Sequence, residues 1–333
     1  MKPAQHLSAL PKLKQESDVE AVADSLANGD VRICARLITR IERGESEIIP
    51  ILQALYRRGG KARVIGVTGP PGAGKSTFIN ALVSNWRQQG LRIAVLAVDP
   101  SSPISGGAIL GDRFRMVAHA GDKDVYIRSM ASRGRLGGLA KAAGDALTVL
   151  EAMNWDVILV ETVGVGQSET DIMRHASAVL LLQTPMGGDD IQAVKAGIIE
   201  IGDIFIVNKS DHPDADQTVL QLEHMLSLCQ RLHPERTWLP PVIKTQANNG
   251  EGIPTVIDQI DSRFAYLSSH PETVTRNLRV SAKYRVTEIL RDLIDRRLHD
   301  NDGNWLDALL DPVIRRESDP YELADKLLER ITV

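Results

Sequence analysis

Cysteine is scarce in this chain. Only Cys34 and Cys229 occur in 333 residues, far apart and without metal-ligand spacing. That excludes a disulfide framework and predicts two buried thiols in a reduced compartment. Charge of one sign is also lacking. The 39 Lys and Arg face 43 Asp and Glu, for a net charge of −4 and a pI near 6.1. No strong basic field draws in nucleic acid or an anionic membrane. No apolar run is long enough to span a bilayer. Residues 1–20 carry acids as well as lysines, without the apolar core of a signal peptide or the Arg-rich, acid-poor character of a mitochondrial presequence. A cytoplasmic protein that engages neither nucleic acid nor membrane is expected. The eight histidines are scattered. His119, His175 and His212 are isolated and read as surface or structural residues. Internal repeats and low-complexity segments are missing too.

What is present is ordinary globular composition, 43% hydrophobic and 25% charged, with length for one to three domains. Three regions emerge. Residues 1–60 form a helical extension, with helix-period apolar residues over 21–26 and 31–41, closed by Gly59-Gly60. Residues 61–265 alternate buried strands with helices. Strands are expected at 63–68, 92–98, 125–128, 157–161, 178–183, 204–207 and 241–244. Their near-continuous apolar runs predict an α/β fold with a mostly parallel sheet covered on both faces. Residues 266–333 turn helical again. Val280, Tyr284, Ile289, Leu290, Leu293, Ile294 and Leu298 recur at helical spacing. That stripe fits packing on its own domain or a dimerisation arm equally well.

The string Gly69-Pro70-Pro71-Gly72-Ala73-Gly74-Lys75-Ser76, followed by Thr77, fits the phosphate-binding P-loop pattern G-x-x-x-x-G-K-[ST]. A glycine-rich loop can turn its backbone N–H groups around an anion. The helix that follows adds its positive N-terminal end. Lys75 is positioned to reach the β- and γ-phosphates, and the Ser76 hydroxyl to bind Mg²⁺. An ordinary strand–turn–helix is the plainer alternative. The strand 64–67 before it and the helix 76–89 after it supply the context that the motif requires.

The base is chosen elsewhere. Asn208-Lys209-Ser210-Asp211 follows the strand 204–207 and matches N-K-x-D. A carboxylate at Asp211 accepts from the ring N–H and the exocyclic amine of guanine. Adenine offers no matching pair of donors, so the wrong base leaves an unpaired acceptor. The Lys209 stem can cover the base, and Asn208 can tie this loop to the P-loop. GTP and GDP are the expected nucleotides. Mg²⁺ needs hard oxygen ligands. Asp99 ends one strand, Glu161 ends another, and Asp112 lies in the Ser-, Gly- and Pro-rich loop 100–115. Strand C-termini of an open parallel sheet converge on the ligand crevice. Each acid alone could instead be a cap or a solvated loop residue.

Longer strings carry a resemblance. Val98-Asp99-Pro100-Ser101-Ser102-Pro103, then Gly106-Gly107-Ala108-Ile109-Leu110-Gly111-Asp112-Arg113, and Glu161-Thr162-Val163-Gly164-Val165-Gly166-Gln167-Ser168-Glu169 resemble the MeaB/ArgK family of G-proteins. These belong to the signal-recognition-particle-like class of P-loop GTPases. They act as chaperones of cobalamin-dependent acyl-CoA mutases such as methylmalonyl-CoA mutase. The resemblance runs from about residue 20 to the C-terminus. It implies Ser76 and Asp112 as the main Mg²⁺ ligands, with Asp99 and Glu161 acting at second hand or through water. Asp99 is also a candidate for positioning the attacking water, as is Gln167. Residues 100–115 match a first switch and 163–169 a second. Residues 183–195 match a third loop that contacts the mutase. A homodimer through the C-terminal helices is implied.

Two positions depart from the family pattern. Lys195 is followed by Ala196 where a lysine pair is usual. Gln246-Ala247 stands where Ser-Ala usually meets the guanine edge, so selection there is expected from backbone N–H. The loop 132–138 fits the family, with a Gly-rich turn feeding a helix at 139–153 as its plainer reading. No D-x-H-x-x-G cobalamin motif appears. The rival readings are a metal-insertion GTPase, a P-loop kinase and a nucleotide-gated scaffold. Scattered histidines argue against the first and N-K-x-D against the second.

Overall fold

The parallel sheet grows from its central strand outward. The computed structural model describes residues 16–99, 119, 121–131, 138–162, 170–171, 173–185, 201–299 and 304–332. Among them are seven strands: β1 (Arg63–Thr68), β2 (Ile93–Asp99), β3 (Val125–Ala131), β4 (Val157–Thr162), β5 (Ala178–Gln183), β6 (Ile204–Asn208) and β7 (Val242–Thr245). Their spatial order is β3-β2-β4-β1-β5-β6-β7, and every pairing is parallel. β1 lies between β4 and β5, with Val67 opposite Glu161 and Thr68 opposite Leu181. β4 and β5 are buried along their whole length, as apolar runs covered on both faces should be.

Helices cover both faces. α1 (Glu16–Ala27), α2 (Val31–Glu42) and α3 (Ile49–Tyr56) precede the sheet, with a 3₁₀ turn at Ser46–Ile48. Asp30 caps α2 by accepting from the N–H groups of Arg32 and Ile33. The apolar side of α2 buries Ile33, Cys34, Leu37, Ile38 and Ile41. It packs against α5 (Gly138–Glu151) and β3. Arg128 of β3 pairs with Glu42 and donates to Thr39 at 3.2 Å, fastening the extension to the sheet. Burial pushes the Cys34 thiol up to about 12 and raises the Tyr126 phenol beside it.

α4 (Lys75–Gln88) lies on the central strands. Phe78, Ile79, Leu82, Val83 and Trp86 join Val67, Leu159 and Leu182 in one core. Each such side chain contributes about 1.5–3 kcal/mol on burial. α6 (Ala215–Leu232) covers β6 and β7, and α7 (Ile253–Ser269) follows β7.

Two compact units divide the chain, Met1–Ser281 and Ala282–Val333, and the division falls inside α8 (Pro271–His299). The second unit also holds α9 (Asn304–Ile314) and α10 (Pro320–Thr332), which pack on each other. Of the C-terminal apolar stripe, Val280, Leu290 and Leu293 are exposed. No helix among the described residues is long and apolar enough to cross a membrane.

Candidate functional site

Because all strands run the same way, β1, β2, β4, β5, β6 and β7 deliver their C-terminal residues to one edge of the sheet. β1 enters the loop at Gly69, whose backbone has φ 148°. A side chain there would collide with the Leu182 carbonyl of β5. Gly74 closes the loop with φ 85° and is the N-cap of α4. A Cβ on Gly74 would stand 2.6 Å from Asn208 Nδ2, so only glycine lets the two loops meet. Gly74 also offers no side chain to satisfy the first amides of α4, which leaves them for an anion. Pro71, Gly72 and Thr77 are exposed, and Ala73 is fully buried.

Lys75 and Ser76 are both buried. Lys75 is 6% exposed, and its Nζ donates to the carbonyls of Gly69 at 2.7 Å and Pro70 at 3.0 Å. The ammonium thus rests on the loop that surrounds the phosphate position. Ser76 Oγ donates to Glu161 Oε1 at 2.9 Å. On the next pair along the same two strands, Thr162 Oγ1 donates to Thr68 Oγ1 at 3.0 Å. Asp99 is the last residue of β2, one past the pairing of Val98 with Thr162. Asp112 and Gln167 lie outside the described residues. So do the switch segments 100–115 and 163–169, residues 186–195 of the third loop, and 132–137.

The second loop is tied to the first by one side chain. Asn208, at the end of β6, is 3% exposed. Its Nδ2 donates to the Ala73 carbonyl at 2.8 Å. Its Oδ1 accepts from Thr245 Oγ1 and from the Ala247 N–H, both at 3.1 Å. Ser210 N–H donates to the Thr245 carbonyl at 3.0 Å, which joins the β6 and β7 loops a second time. Lys209 is exposed at a left-handed φ of 60°, and Asp211 is exposed beside it.

Gln246 is braced rather than open. Its N–H donates to the Glu251 carbonyl at 3.0 Å, and its Nε2 to Glu251 Oε2 at 2.8 Å. The N–H groups of Gln246 and Ala247 are both spent inside the protein, whereas sequence reasoning assigns backbone N–H at this pair to the base. Sequence reasoning also missed Thr245, Glu251 and the Thr68–Thr162 pair. No motif marks the first two. The third was visible only as Thr162 inside the longer string. His119 lies 3.2 Å from Ser84 Oγ, and His212 lies at the surface near Asp214.

The comparisons agree with this geometry. The family described as methylmalonyl Co-A mutase-associated GTPase MeaB matches residues 34–302. A protein of Pyrococcus horikoshii described as a putative GTPase is 41% identical over 313 residues, covering 94% of this chain and 98% of its own. The mouse protein described as methylmalonic aciduria type A homolog, mitochondrial, is 37% identical over 263 residues, covering 74% of this chain and 63% of its own. A solved structure described as an LAO/AO transport system kinase superposes with a TM-score of 0.69 at 26% identity, covering 96% of this chain and 99% of that one. With the P-loop and the sheet order in place, the chain belongs to the methylmalonyl-CoA-mutase-associated GTPase family MeaB and is a P-loop GTPase.

Proposed function

We propose that this GTPase is a Mg²⁺-dependent G-protein chaperone of a cobalamin-dependent acyl-CoA mutase of the methylmalonyl-CoA mutase type. The observation that carries the reading is the family match, which runs without a break from α2 to the residues after α8. The mouse relative, whose description refers to methylmalonic aciduria, supports the same partner class. A homodimer through the C-terminal helices and a cytoplasmic location belong to the proposal.

Lys75 and the P-loop amides hold the β- and γ-phosphates. Lys75 exchanges the Gly69 and Pro70 carbonyls for phosphate oxygens when GTP enters. Asp211 and Lys209 take the guanine, and Asn208 holds the two loops in register. Ser76 Oγ and Glu161 Oε1 are hard oxygen donors 2.9 Å apart beside the P-loop, a donor set that suits Mg²⁺ completed by water and phosphate. Ser76 and Asp112 would hold it directly, with Asp99 and Glu161 acting through water. When bound, Mg²⁺ offsets the charge that develops on the phosphoryl oxygens. Asp99 and Gln167 are the candidates for orienting the attacking water. The nucleotide state of segments 100–115 and 163–169 then signals to the mutase, gating cofactor loading and reactivation.

The test is GTP hydrolysis by the purified protein, alone and with cobalamin-dependent mutases, with ATP as control. Slow turnover alone and strong stimulation by one mutase are expected. GTP hydrolysis that no mutase stimulates would remove the chaperone reading. A preference for ATP would remove the assignment of Asp211.

A further inference from the structure

We infer that Thr162 is a positioning residue for GTP hydrolysis, which keeps the end of β4 in register with the P-loop strand. The inference rests on the proposed role of Ser76 toward Mg²⁺.

The end of β4 is joined to the P-loop side from both faces of the sheet. Successive strand residues point to opposite faces. Glu161 reaches Ser76 on the α4 face, and Thr162 reaches Thr68 on the other. These two links differ in how near they stand to the proposed cation. Ser76 Oγ carries a single proton, now given to Glu161. Its lone pairs remain open to a cation, so this link would lie directly against the ion. The Thr68–Thr162 bond involves no group proposed to touch nucleotide or cation, so it stands one step back from the ligand. Thr68 is also the last residue of β1, directly before Gly69. Thr162 is the last residue of β4, directly before segment 163–169. One hydroxyl pair therefore fixes the spacing between the start of the phosphate loop and the end of β4.

Packing alone does not explain a threonine here. Thr162 is 0% exposed and Thr68 2%. The rest of β4 before Glu161 is Val157-Ile158-Leu159-Val160. Valine has the same shape and suits a buried strand as well, without a hydroxyl to desolvate. The hydroxyls stand where the strands reach the C-terminal edge of the sheet.

The test compares Thr162→Val, Thr68→Val, the double variant and Thr162→Ser, using GDP affinity, melting temperature and single-turnover GTP hydrolysis with Mg²⁺. The expected result is a hydrolysis rate lowered about tenfold in both single valine variants, which corresponds to about 1.4 kcal/mol in the barrier. GDP affinity should stay within about twofold, because ground-state binding does not use the pair. The double variant should be no slower than either single one, since both remove the same bond. Thr162→Ser should recover most of the rate. Unchanged hydrolysis in both valine variants overturns the inference. So does a parallel loss of rate, GDP affinity and melting temperature, or a serine variant as slow as the valine one. Ser76→Ala is run alongside. If its rate keeps the wild-type Mg²⁺ dependence, the proposed role of Ser76 fails, while the valine variants still report on Thr162.

Discussion

Asn208 reaches across from β6 to hold the P-loop by its backbone, donating from Nδ2 to the carbonyl of Ala73 at 2.8 Å. The same side chain accepts from Thr245 and Ala247. Asn208→Ala removes three buried hydrogen bonds and leaves their partners unsatisfied. A loss of roughly 2–4 kcal/mol in stability is expected. Urea unfolding without nucleotide would measure it. Asn208→Asp keeps the acceptor but turns an oxygen toward the Ala73 carbonyl, and should recover only part of the loss.

Asp211 should decide the base. Asp211→Asn replaces one acceptor with a donor facing the guanine amine. GTP affinity is expected to fall at least ~100-fold without any gain for ATP, because a site built for specific donors rejects what cannot pair. Xanthosine triphosphate, which carries an oxygen in place of that amine, should bind the variant better than GTP does. Competition against a fluorescent nucleotide would rank all three.

Cys34 should be chemically silent in the folded protein. Burial raises its pKa from the ordinary value near 9 to about 12, with Tyr126 beside it also raised. Iodoacetamide at pH 8 should label the half-buried Cys229 first, and Cys34 only after unfolding, as read by peptide mass spectrometry. The sign for stability follows. Between pH 9 and 12 the unfolded thiol loses its proton and the folded one keeps it. The contribution is therefore intact below pH 9 and is lost as pH rises toward 12, by at most about 1.4 kcal/mol per pH unit for this group.

Gln183 ends β5 beside the P-loop strand, 3% exposed, and its Oε1 is buried without a hydrogen-bond partner among the described residues. An unsatisfied buried acceptor costs about 1–3 kcal/mol. Gln183→Leu, close in volume, should leave the melting temperature unchanged or higher. A clear fall would show that the amide makes a contact worth more than its desolvation.

The P-loop and its tie to the loop after β6 stood out in sequence because backbone chemistry demands particular residues there. Gly74 must approach Asn208, and Asn208 must present both a donor and an acceptor. The ends of strands were less legible. β2, β4, β6 and β7 all continue past the expected limit, into Asp99, Thr162, Asn208 and Thr245. An apolar pattern stops where polar site residues begin, but the backbone ladder does not depend on side-chain polarity. The Ser76–Glu161 contact was illegible for a related reason. It depends on the register of Val67 with Glu161, and strand order does not follow from spacing along the chain. The Gln246 brace needs Glu251 folded back through a tight turn, which no periodic signal announces.

The central place of β1 has a consequence for how the protein is made. Its neighbours are β4, which begins at Val157, and β5, which begins at Ala178. A ribosome adding about 5–20 residues per second leaves β1 unpaired for several seconds after it emerges. During that interval an apolar strand and the loop that will bind phosphate have no sheet to join. Nascent chains shorter than β4 should therefore lack nucleotide binding altogether and depend on chaperones, with GTP binding appearing abruptly once the later strands are released.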